Sequence, residues 1–541
     1  MVAQIATSPI RFAGTPVGQS VTGAQIAYDD AGMRAKLRDI SQPCMIVRDG
    51  GKIGVASGGQ LYTGMAAGGV EVLAAATSIS PTQFGDSSFR EAYHVKYAYA
   101  AGAMANGIAS EDLVIAMGKN GLLASFGAAG LVGARLKAAI EKIQAALPTE
   151  PYAFNLIHSP SEERMERDAV ALYLQYGIKT VEASAFLDLT QYVVWYRVAG
   201  LSRNPDGSVK IGNRVIAKIS RREVATPFMK PAPERLLRPL VEQGFITAEQ
   251  AELAALVPVA DDITCEADSG GHTDNRPLVA LLPSIIALRD EIQAQQNYAT
   301  PVRVGAAGGI GTPAAALAAF MMGAAYVVTG SINQATLEAG ASAHTKKLLA
   351  QADMADVMMA PAADMFEMGV KVQLLKRGTM FPMRAQRLYE LYTQYNSADD
   401  IPADEREKLE KQILKRPMDD IWRDTVSYFT ERDPDQITRA ENNPKRKMAL
   451  IFRWYLGLSS RWSNSGEKGR ELDYQVWCGP AMGAFNAWAK GTYLETPENR
   501  SVADVAEQMM RGTAYLYRVQ TLRMQGVDLP PQLATFVPER V

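Results

Sequence analysis

The sequence predicts an α/β fold: a (β/α)8 TIM barrel with an N-terminal extension, a helical insertion and a helical C-terminal region. Between about residues 90 and 340, short apolar runs bounded by Gly, Asn or Ser alternate with segments of helical character. Eight such units over roughly 250 residues are typical of this barrel. The competing layout, a doubly wound sheet, carries its glycine fingerprint at the first βα turn. Here the glycine-rich turn follows the seventh run, which favours the barrel.

The predicted barrel strands are short runs rich in Ala, Val, Ile and aromatic residues. In chain order they span residues 95–101, 121–127, 152–157, 179–185, 214–220, 262–267, 302–309 and 325–331. Segments with helical periodicity separate most of them, for example 133–147, 161–177 and 312–323.

Texture divides the chain into three regions. Residues 1–85 are rich in Gly, Ala and Ser and contain CMIVRDGGKIGVAS, whose DGG indicates a hairpin turn. Residues 86–345 form the barrel region. Beyond about residue 345 the strand pattern stops, and we expect 346–541 to be helical, as a lid or a dimer interface. Residues 221–260 are too long for one βα loop, so we interpret them as two inserted helices, separated by an N-cap at Thr247, that cover a substrate.

Composition excludes several classes of protein. Lys and Arg number 56 against 58 Asp and Glu, and this balance does not favour a nucleic-acid binder. The three cysteines are far apart, so neither a disulfide framework nor a CxxC metal site is predicted. The N-terminus has no continuous apolar segment, and the chain has no apolar run of about 18 residues. We therefore expect a cytoplasmic protein without a metal site.

Glycines follow the last two predicted strands. GAAGGIG places Gly308 and Gly309 before a helix that begins near residue 312, and TGS places Gly330 and Ser331 after the eighth strand. Backbone N–H groups at such turns can approach a ligand closely, and a helix N-terminus favours an anion. Because loops after strands seven and eight are the usual phosphate site of this barrel, we expect a phosphorylated ligand there. A tight turn with close helix packing is the alternative.

Six motifs carry a resemblance to a known family. In order they are NGLLASFGAAGL, FNLIHSP, VIAKISRREVA, EADSGGH, GAAGGIGTP and GAAYVVTGS. This set resembles the FMN-dependent barrel group of nitronate monooxygenases and flavin enoyl-acyl carrier protein reductases. Within that group it is most similar to the PfaD-type, trans-acting enoyl reductases of polyunsaturated fatty acid and polyketide synthases. The resemblance covers roughly residues 85–540 and includes QLLKRGTMFPMRA.

The resemblance implies FMN, with its phosphate at Gly308, Gly309, Gly330 and Ser331. The residues then suggest further roles. Asn155, which ends the third strand, could hydrogen-bond the flavin, although such an Asn is often a turn former. Gly102 and Ala103 would let the ring lie against backbone. Lys218 matches a family lysine and would stabilise the negative charge of a reduced flavin; its alternative is a lysine that reaches solvent.

His272 is one of only four histidines and follows Gly270 and Gly271. We expect these glycines to thin the loop so that a flat ring and an acyl chain can pass, with His272 beside the ring. A histidine can hydrogen-bond or donate a proton near neutral pH. The family pattern is EAGGH, whereas this chain reads EADSGGH, and the two extra residues put the exact position of the imidazole in doubt.

The remaining candidates are weaker. His158, after the third strand, is the best substitute acid, whereas we expect His94 and His344 to be structural. Cys265 lies within a strand run, where a buried cysteine is the commoner interpretation.

Together these features predict an FMN-dependent enoyl reductase that uses NADPH or NADH. No acyl carrier or ketosynthase signature is found, so its enoyl thioester substrate would come in trans from a separate acyl carrier protein. A nitronate monooxygenase and a non-catalytic flavin-binding scaffold of a megasynthase are the alternatives. A homodimer is expected. Because the carrier is typically acidic, we expect it to dock on a basic patch, whose best candidate is Lys371, Lys376, Arg377, Arg384 and Arg387.

Overall fold

The computed structural model describes residues 10–131, 133–160 and 163–540, without the side chain of residue 432. Two predictions extend beyond these residues: the N-terminus without an apolar segment includes 1–9, and the predicted helix 161–177 begins at 161–162. Within the described residues, no helix is long and apolar enough to cross a membrane.

The N-terminal region is a sheet with one helix. Its elements are β1 (Arg11–Phe12), β2 (Gln19–Thr22), β3 (Gln25–Ala27), α1 (Asp30–Arg38), β4 (Cys44–Asp49), β5 (Lys52–Ser57), β6 (Gln60–Thr63) and β7 (Val70–Ala76). Six strands form an antiparallel sheet in the order β3-β5-β4-β7-β2-β6. Asp49 pairs with Lys52 across a turn of two glycines, both with positive φ, which confirms the predicted hairpin.

The barrel region alternates strands and helices. Its elements are α2 (Ser87–Tyr93), β8 (Tyr99–Ala101), α3 (Glu111–Lys119), β9 (Leu123–Phe126), α4 (Gly133–Ala146), β10 (Ala153–Ile157), α5 (Glu163–Gln175), β11 (Thr180–Ser184), α6 (Gln191–Ala199), β12 (Leu201–Arg203), β13 (Val209–Ile211), β14 (Arg214–Ile219), α7 (Arg222–Met229), α8 (Glu234–Glu242), α9 (Ala248–Ala254), β15 (Asp262–Glu266), β16 (Gly271–His272), α10 (Leu278–Gln296), β17 (Arg303–Ala307), α11 (Pro313–Met321) and β18 (Val327–Thr329).

Eight parallel strands close the barrel in the order β8-β9-β10-β11-β14-β15-β17-β18. Each lies within one of the eight predicted runs, so the predicted TIM barrel is confirmed. Buried polar groups fill its N-terminal end, where the Arg303 guanidinium binds both carboxylate oxygens of Asp262 at 2.6 and 2.7 Å and Tyr93 donates to the same carboxylate. These groups satisfy one another's hydrogen-bonding capacity. We therefore expect a reactive site at the opposite, carboxyl-terminal end of the strands.

The two predicted inserted helices are α8 and α9, and α7 before them packs on α10 and on strands β14 and β15 of the barrel. Thr247 caps α9 in a capping box with Gln250, as expected. The prediction that the insertion covers a substrate is wrong. Helices α8 and α9 pack against α6, and α9 also contacts β12, whose hairpin with β13 leads into the N-terminal end of β14. This packing turns the insertion away from the carboxyl ends of the strands.

The C-terminal region is mostly helical but contains strands. Its elements are α12 (Ala343–Ala350), β19 (Val357–Pro361), β20 (Lys371–Leu375), α13 (Phe381–Gln394), α14 (Ala403–Leu409), α15 (Met418–Arg432), α16 (Asp435–Glu441), α17 (Pro444–Ser465), α18 (Ala481–Ala489), α19 (Val502–Met524), β21 (Val527–Asp528) and α20 (Pro531–Ala534). The prediction that strands stop near residue 345 is wrong, because β19 and β20 form a hairpin that adds β16 to its edge. A loop of the barrel and the later chain thus share one sheet.

Helix α19 joins two cores. Its first half packs on the barrel through Val505, Met509 and Met510, and its second half packs on the N-terminal sheet through Val519 and Leu522. The buried Arg518 guanidinium donates to carbonyl oxygens of Leu37, Asp39, Ile40, Gln42 and Thr77. Helix α19 therefore fixes the N-terminal sheet to the barrel.

Candidate active site

A cavity of about 500 Å³ lies at the carboxyl ends of the barrel strands. The barrel and the loop after β15 supply a largely polar side, which includes Asn155, Ser184, Lys218, Glu266 and His272. Helices α15 and α17 supply the opposite side, which includes Phe429, Leu450, Trp454, Leu456 and Leu458. The cavity therefore has a polar floor and a mainly apolar wall, an arrangement suited to a ligand with a reactive polar end and an apolar body.

Lys218 lies on this floor between two carboxylates. Its Nζ is 3.2 Å from Glu266 and 3.5 Å from Glu182, and its side chain is 13% exposed. Burial opposes the charge, but Glu266 and then Glu182 outweigh it, so the pKa of Lys218 lies well above its ordinary value. Lys218 is a permanent cation that its neighbours already neutralise. The sequence analysis missed both glutamates, although a charged residue within an apolar strand run was the signal that could have identified them.

Asn155 is fixed within β10 and does not form a turn. Its Nδ2 donates to the carbonyl oxygen of Glu182 at 3.0 Å and to Ser184 Oγ at 2.8 Å. With the amide nitrogen held by β11, the amide oxygen is the atom that could accept a hydrogen bond from a ligand in the cavity.

Gly102 and Ala103 have different surroundings. The Gly102 N–H donates to Thr329 at 2.9 Å, and a side chain at Gly102 would come within 3.0 Å of Val328. Its glycine is therefore needed for packing on β18. Ala103 lines the cavity, and its N–H donates to Glu182 Oε1 at 3.1 Å.

The glycines before His272 are needed for contact with another part of the chain. A Cβ on Gly270 would lie 2.9 Å from the backbone of Cys478 and Gly479. Gly271 has φ +86°, and its Cβ would lie 3.6 Å from the Trp477 ring. The expectation that these glycines make room for a ring or an acyl chain stays a prediction, since both line the cavity while protein backbone fills the Cβ side of Gly270.

His272 lies in β16 and lines the cavity. Its Nε2 is 3.2 Å from the carboxylate of Asp364, and both side chains are 28% exposed. Burial lowers the pKa of His272, but Asp364 and Glu266 raise it by more, so that the net shift is upward. The imidazole can therefore carry a proton at neutral pH. Asp364 was missed by the sequence analysis, and no local pattern marks it.

The predicted phosphate site lies beside the lining of this cavity. Gly308 and Gly309 both have positive φ, and a Cβ on Gly309 or Gly330 would meet nothing within 4 Å. Helix α11 begins at the same place, capped by Thr312. Ser331 Oγ accepts a hydrogen bond from the Gly479 N–H at 3.0 Å. These backbone positions and the open space beside them fit a phosphate group.

The other histidines and Cys265 lie apart from the cavity. His158 is outside its lining, 2.8 Å from Glu166 and stacked on Phe186. His94 ends α2 in the left-handed conformation, and His344 is exposed beside the Tyr474 ring. Cys265 is fully buried, and burial raises the pKa of its thiol. Within the described residues, no group of three potential metal ligands is assembled.

The candidate docking patch is smaller than expected. Arg384 is paired with the buried Asp473, and Arg387 is paired with Glu405. Arg377 lies 3.4 Å from Asp356. Lys371 and Lys376 are exposed at the two ends of β20, the strand that pairs with His272.

Comparisons with known proteins agree with this architecture. Residues 20–77 match the model of the fatty acid synthase subunit PfaD N-terminal domain. Residues 395–474, which include the helices that cover the cavity, match the inserted helical domain of [acyl-carrier-protein] S-malonyltransferase.

Two curated relatives are large proteins. A polyunsaturated fatty acid synthase subunit of Thraustochytrium sp. is 53% identical over 475 residues, which are 86% of this chain and 32% of that protein. Polyketide biosynthesis protein PksE of Bacillus subtilis is 46% identical over 453 residues, 84% of this chain and 58% of that protein. The chain thus spans between about a third and three fifths of their lengths.

A solved structure covers most of the chain. The enoyl reductase domain of MlnA, from the macrolactin biosynthesis cluster of Bacillus amyloliquefaciens, is 39% identical and superposes with a TM-score of 0.77. The alignment covers 82% of this chain and all of that domain.

Proposed function

The chain belongs to the PfaD-type enoyl reductases, and from this premise we propose that it is an FMN-dependent enoyl reductase. In this proposal, NADPH or NADH reduces the flavin, and the substrate is an enoyl thioester brought by a separate acyl carrier protein of a fatty acid or polyketide synthase. The observation that carries the proposal is the cavity, where Lys218 and His272 on the barrel face an apolar wall of α15 and α17.

The residues present fit FMN. The phosphate would lie on the backbone at Gly308, Gly309, Gly330 and Ser331, where two glycines face open space and α11 points its N-terminus. The ring would lie near Ala103, Asn155 and Lys218. When bound, FMN would supply hydride chemistry, taking hydride from the nicotinamide and passing it to the β-carbon of the enoyl group.

The chain's own residues would supply binding and the proton. Lys218, paired with Glu182 and Glu266, would serve as a fixed hydrogen-bond donor that stabilises the negative charge of a reduced flavin. His272 would donate a proton to the α-carbon or a hydrogen bond to the thioester oxygen. Helices α15 and α17 would hold the apolar part of the substrate and exclude water from the barrel mouth. His158, held by Glu166 outside the cavity lining, is a poorer candidate for the acid.

The test begins with the visible absorption spectrum of the purified protein, which should show bound flavin. After anaerobic reduction, the flavin should be reoxidised by an enoyl thioester in the absence of oxygen, and this turnover should be faster than the oxygen-dependent oxidation of a nitroalkane, which is the electron donor in the monooxygenase reaction. Faster turnover with the nitroalkane would identify a nitronate monooxygenase. Turnover with neither the enoyl thioester nor the nitroalkane would identify a flavin-binding scaffold.

His272→Ala supplies the residue-level test. The variant should retain flavin but slow its reoxidation by the enoyl thioester by roughly 10²–10⁴-fold, the effect of losing an acid–base group. His344→Ala is the matched control, because it removes an exposed imidazole on α12. Unchanged reoxidation in His272→Ala would move the proton donor to His158 or to water. Sedimentation of the same preparation would test the proposed homodimer.

A further inference from the structure

The sheet formed by β16, β20 and β19 brings a carboxylate to His272. His272 pairs with Val372 of β20, and Asp364 lies in the connection between β19 and β20. The result is a 3.2 Å contact between His272 Nε2 and the Asp364 carboxylate, across 92 residues of sequence. The Met365 N–H also donates to Asp364 Oδ1 at 3.1 Å, which holds the carboxylate in place.

We propose that Asp364 is the positioning residue of His272. Its carboxylate accepts a hydrogen bond from Nε2–H of His272, and this orientation presents Nδ1 to the substrate. This inference rests on the proposed function for the identity of the substrate. The contact between His272 and Asp364 does not depend on that function. A carboxylate fixes both the tautomer and the orientation of an imidazole, since the ring nitrogen that it engages must be the protonated one. Both residues line the same cavity, so an imidazole oriented in this way faces the space that the thioester would occupy.

Other charged groups around the pair do not replace Asp364. Glu266 and Lys218 also act on His272, but they are bound to each other at 3.2 Å, so their opposite charges largely cancel there. Arg453 of α17 also acts on Asp364 and is 3.4 Å from Glu367. Burial raises the pKa of Asp364, but His272 lowers it by more. The carboxyl group is therefore ionised and can accept a hydrogen bond from Nε2–H of His272.

In the proposed reaction, His272 donates the proton that completes the reduction of the enoyl group. The Nδ1–H bond of the imidazolium breaks as a C–H bond forms at the carbon next to the thioester carbonyl. The two electrons and the second hydrogen arrive at the neighbouring carbon as the hydride that the reduced cofactor of the proposed function supplies. The imidazole is left neutral, with its Nε2–H still donating to the Asp364 carboxylate, and it regains a proton at Nδ1 from water.

The experiment is a titration of the histidine resonances, which is feasible because the chain has only four histidines. Protein labelled with ¹³C and ¹⁵N histidine gives the His272 signal by difference from His272→Ala. The Asp364→Asn variant should lower the pKa of His272 by about one unit, the lower end of the effect of an adjacent opposite charge. The Asp364→Glu variant should restore part of the shift.

Asp424→Asn is the matched control, because Asp424 is a cavity carboxylate that pairs with Arg416. It should leave the His272 titration unchanged. A His272 titration that is equally unchanged in folded, flavin-containing Asp364→Asn would overturn the inference.

Kinetics supply the second measurement. Protonated His272 is the active form, so the rate of flavin reoxidation by the enoyl thioester should fall as pH rises through the pKa of His272. In Asp364→Asn this descending limb should move to lower pH by the same amount as the titration. A titration shift without any enoyl reduction by the parent would uphold the pair and refute the proposed function. An enoyl reduction whose pH profile ignores Asp364→Asn would refute the positioning role alone.

Discussion

Lys218, Glu182 and Glu266 form a compact charge group on the floor of the cavity, with one cation and two anions. The group as a whole carries negative charge, although its most prominent member is a lysine. An anionic ligand such as a phosphate is therefore better held at the glycine turns after β17 and β18, where backbone N–H groups and α11 provide positive potential. We therefore expect the phosphate of a bound ligand at the turns and its uncharged part at the floor.

This division gives a prediction for Gly309. Gly309→Asp should abolish flavin binding, because it places a carboxylate in the open space that the phosphate would use, and the protein should be purified colourless. Gly207→Asp is the matched control. It has the same positive φ (+85° against +74°) and the same open surroundings, but lies in the β12–β13 hairpin. Full retention of flavin by folded Gly309→Asp would refute the phosphate site.

Among individual residues, the sequence identified those whose position within a local motif is informative. His272 and Lys218 were found because each stands at the end of a predicted strand, and both line the cavity. Asp364 could not be found in this way, since it is 92 residues from His272 in the sequence and their contact depends on the pairing of β16 with β20. Gly270 also lines the cavity, but its contact with the backbone near residue 478 could not be predicted from a local motif.

Helix α17 presents one face to the cavity. Leu450, Arg453, Trp454, Gly457 and Arg461 recur at helical spacing along that face. Gly457 stands in the middle of this helix, where glycine is less favourable than alanine by about 1 kcal/mol. A Cβ there would meet nothing within 4 Å. We expect that the glycine preserves space for the substrate.

The prediction is that a large residue at position 457 narrows the cavity. Gly457→Trp should retain flavin but lower kcat/KM for a long enoyl thioester by about tenfold or more, with a smaller effect on a short one. Gly457→Ala should be active and somewhat more stable. Ser465→Leu, on the exposed last turn of the same helix, controls for general effects on α17. An equal loss on long and short substrates would indicate a folding defect.

Helix α19 gives a stability prediction through Arg518. Arg518→Met would leave five carbonyl oxygens without their charged donor. The variant should lose about 3 kcal/mol of unfolding free energy, since hydrogen bonds to charged groups contribute about 1.5–3 kcal/mol each. Thermal unfolding followed by circular dichroism would measure it, with the exposed Arg523→Met as the control. Equal midpoints for the two variants would show that Arg518 does not fix the N-terminal sheet.

Over the whole molecule, the sequence predicted the barrel because each βα unit carries its own apolar period. All eight strands were located, and their order follows from the fold. The positions of the insertion and of the C-terminal region could not be predicted, because they depend on packing between distant elements. Helices α8 and α9 pack on α6, whereas α15 and α17, some 200 residues later, cover the cavity.

The exposed lysines at the two ends of β20 give a prediction for docking of the acyl carrier protein. Lys371→Glu with Lys376→Glu should raise the apparent KM for carrier-bound substrate, because both lysines are exposed on the strand that pairs with His272. Added salt should weaken the parent's binding in the same assay. Turnover of a short enoyl-CoA should change much less. Lys52→Glu with Lys210→Glu is the matched control, on the N-terminal hairpin and on β13. A similar loss from both pairs would argue against docking at β20.

The position of α19 also bears on how the protein is made. Arg518 and its acceptor Leu37 are 481 residues apart. At a ribosomal rate of about 5–20 residues per second, the N-terminal sheet emerges roughly half a minute to a minute and a half before the helix that covers its apolar face. During synthesis that face is open to other nascent chains. For most of the synthesis, the sheet therefore lacks the helix that covers part of its apolar core in the folded protein.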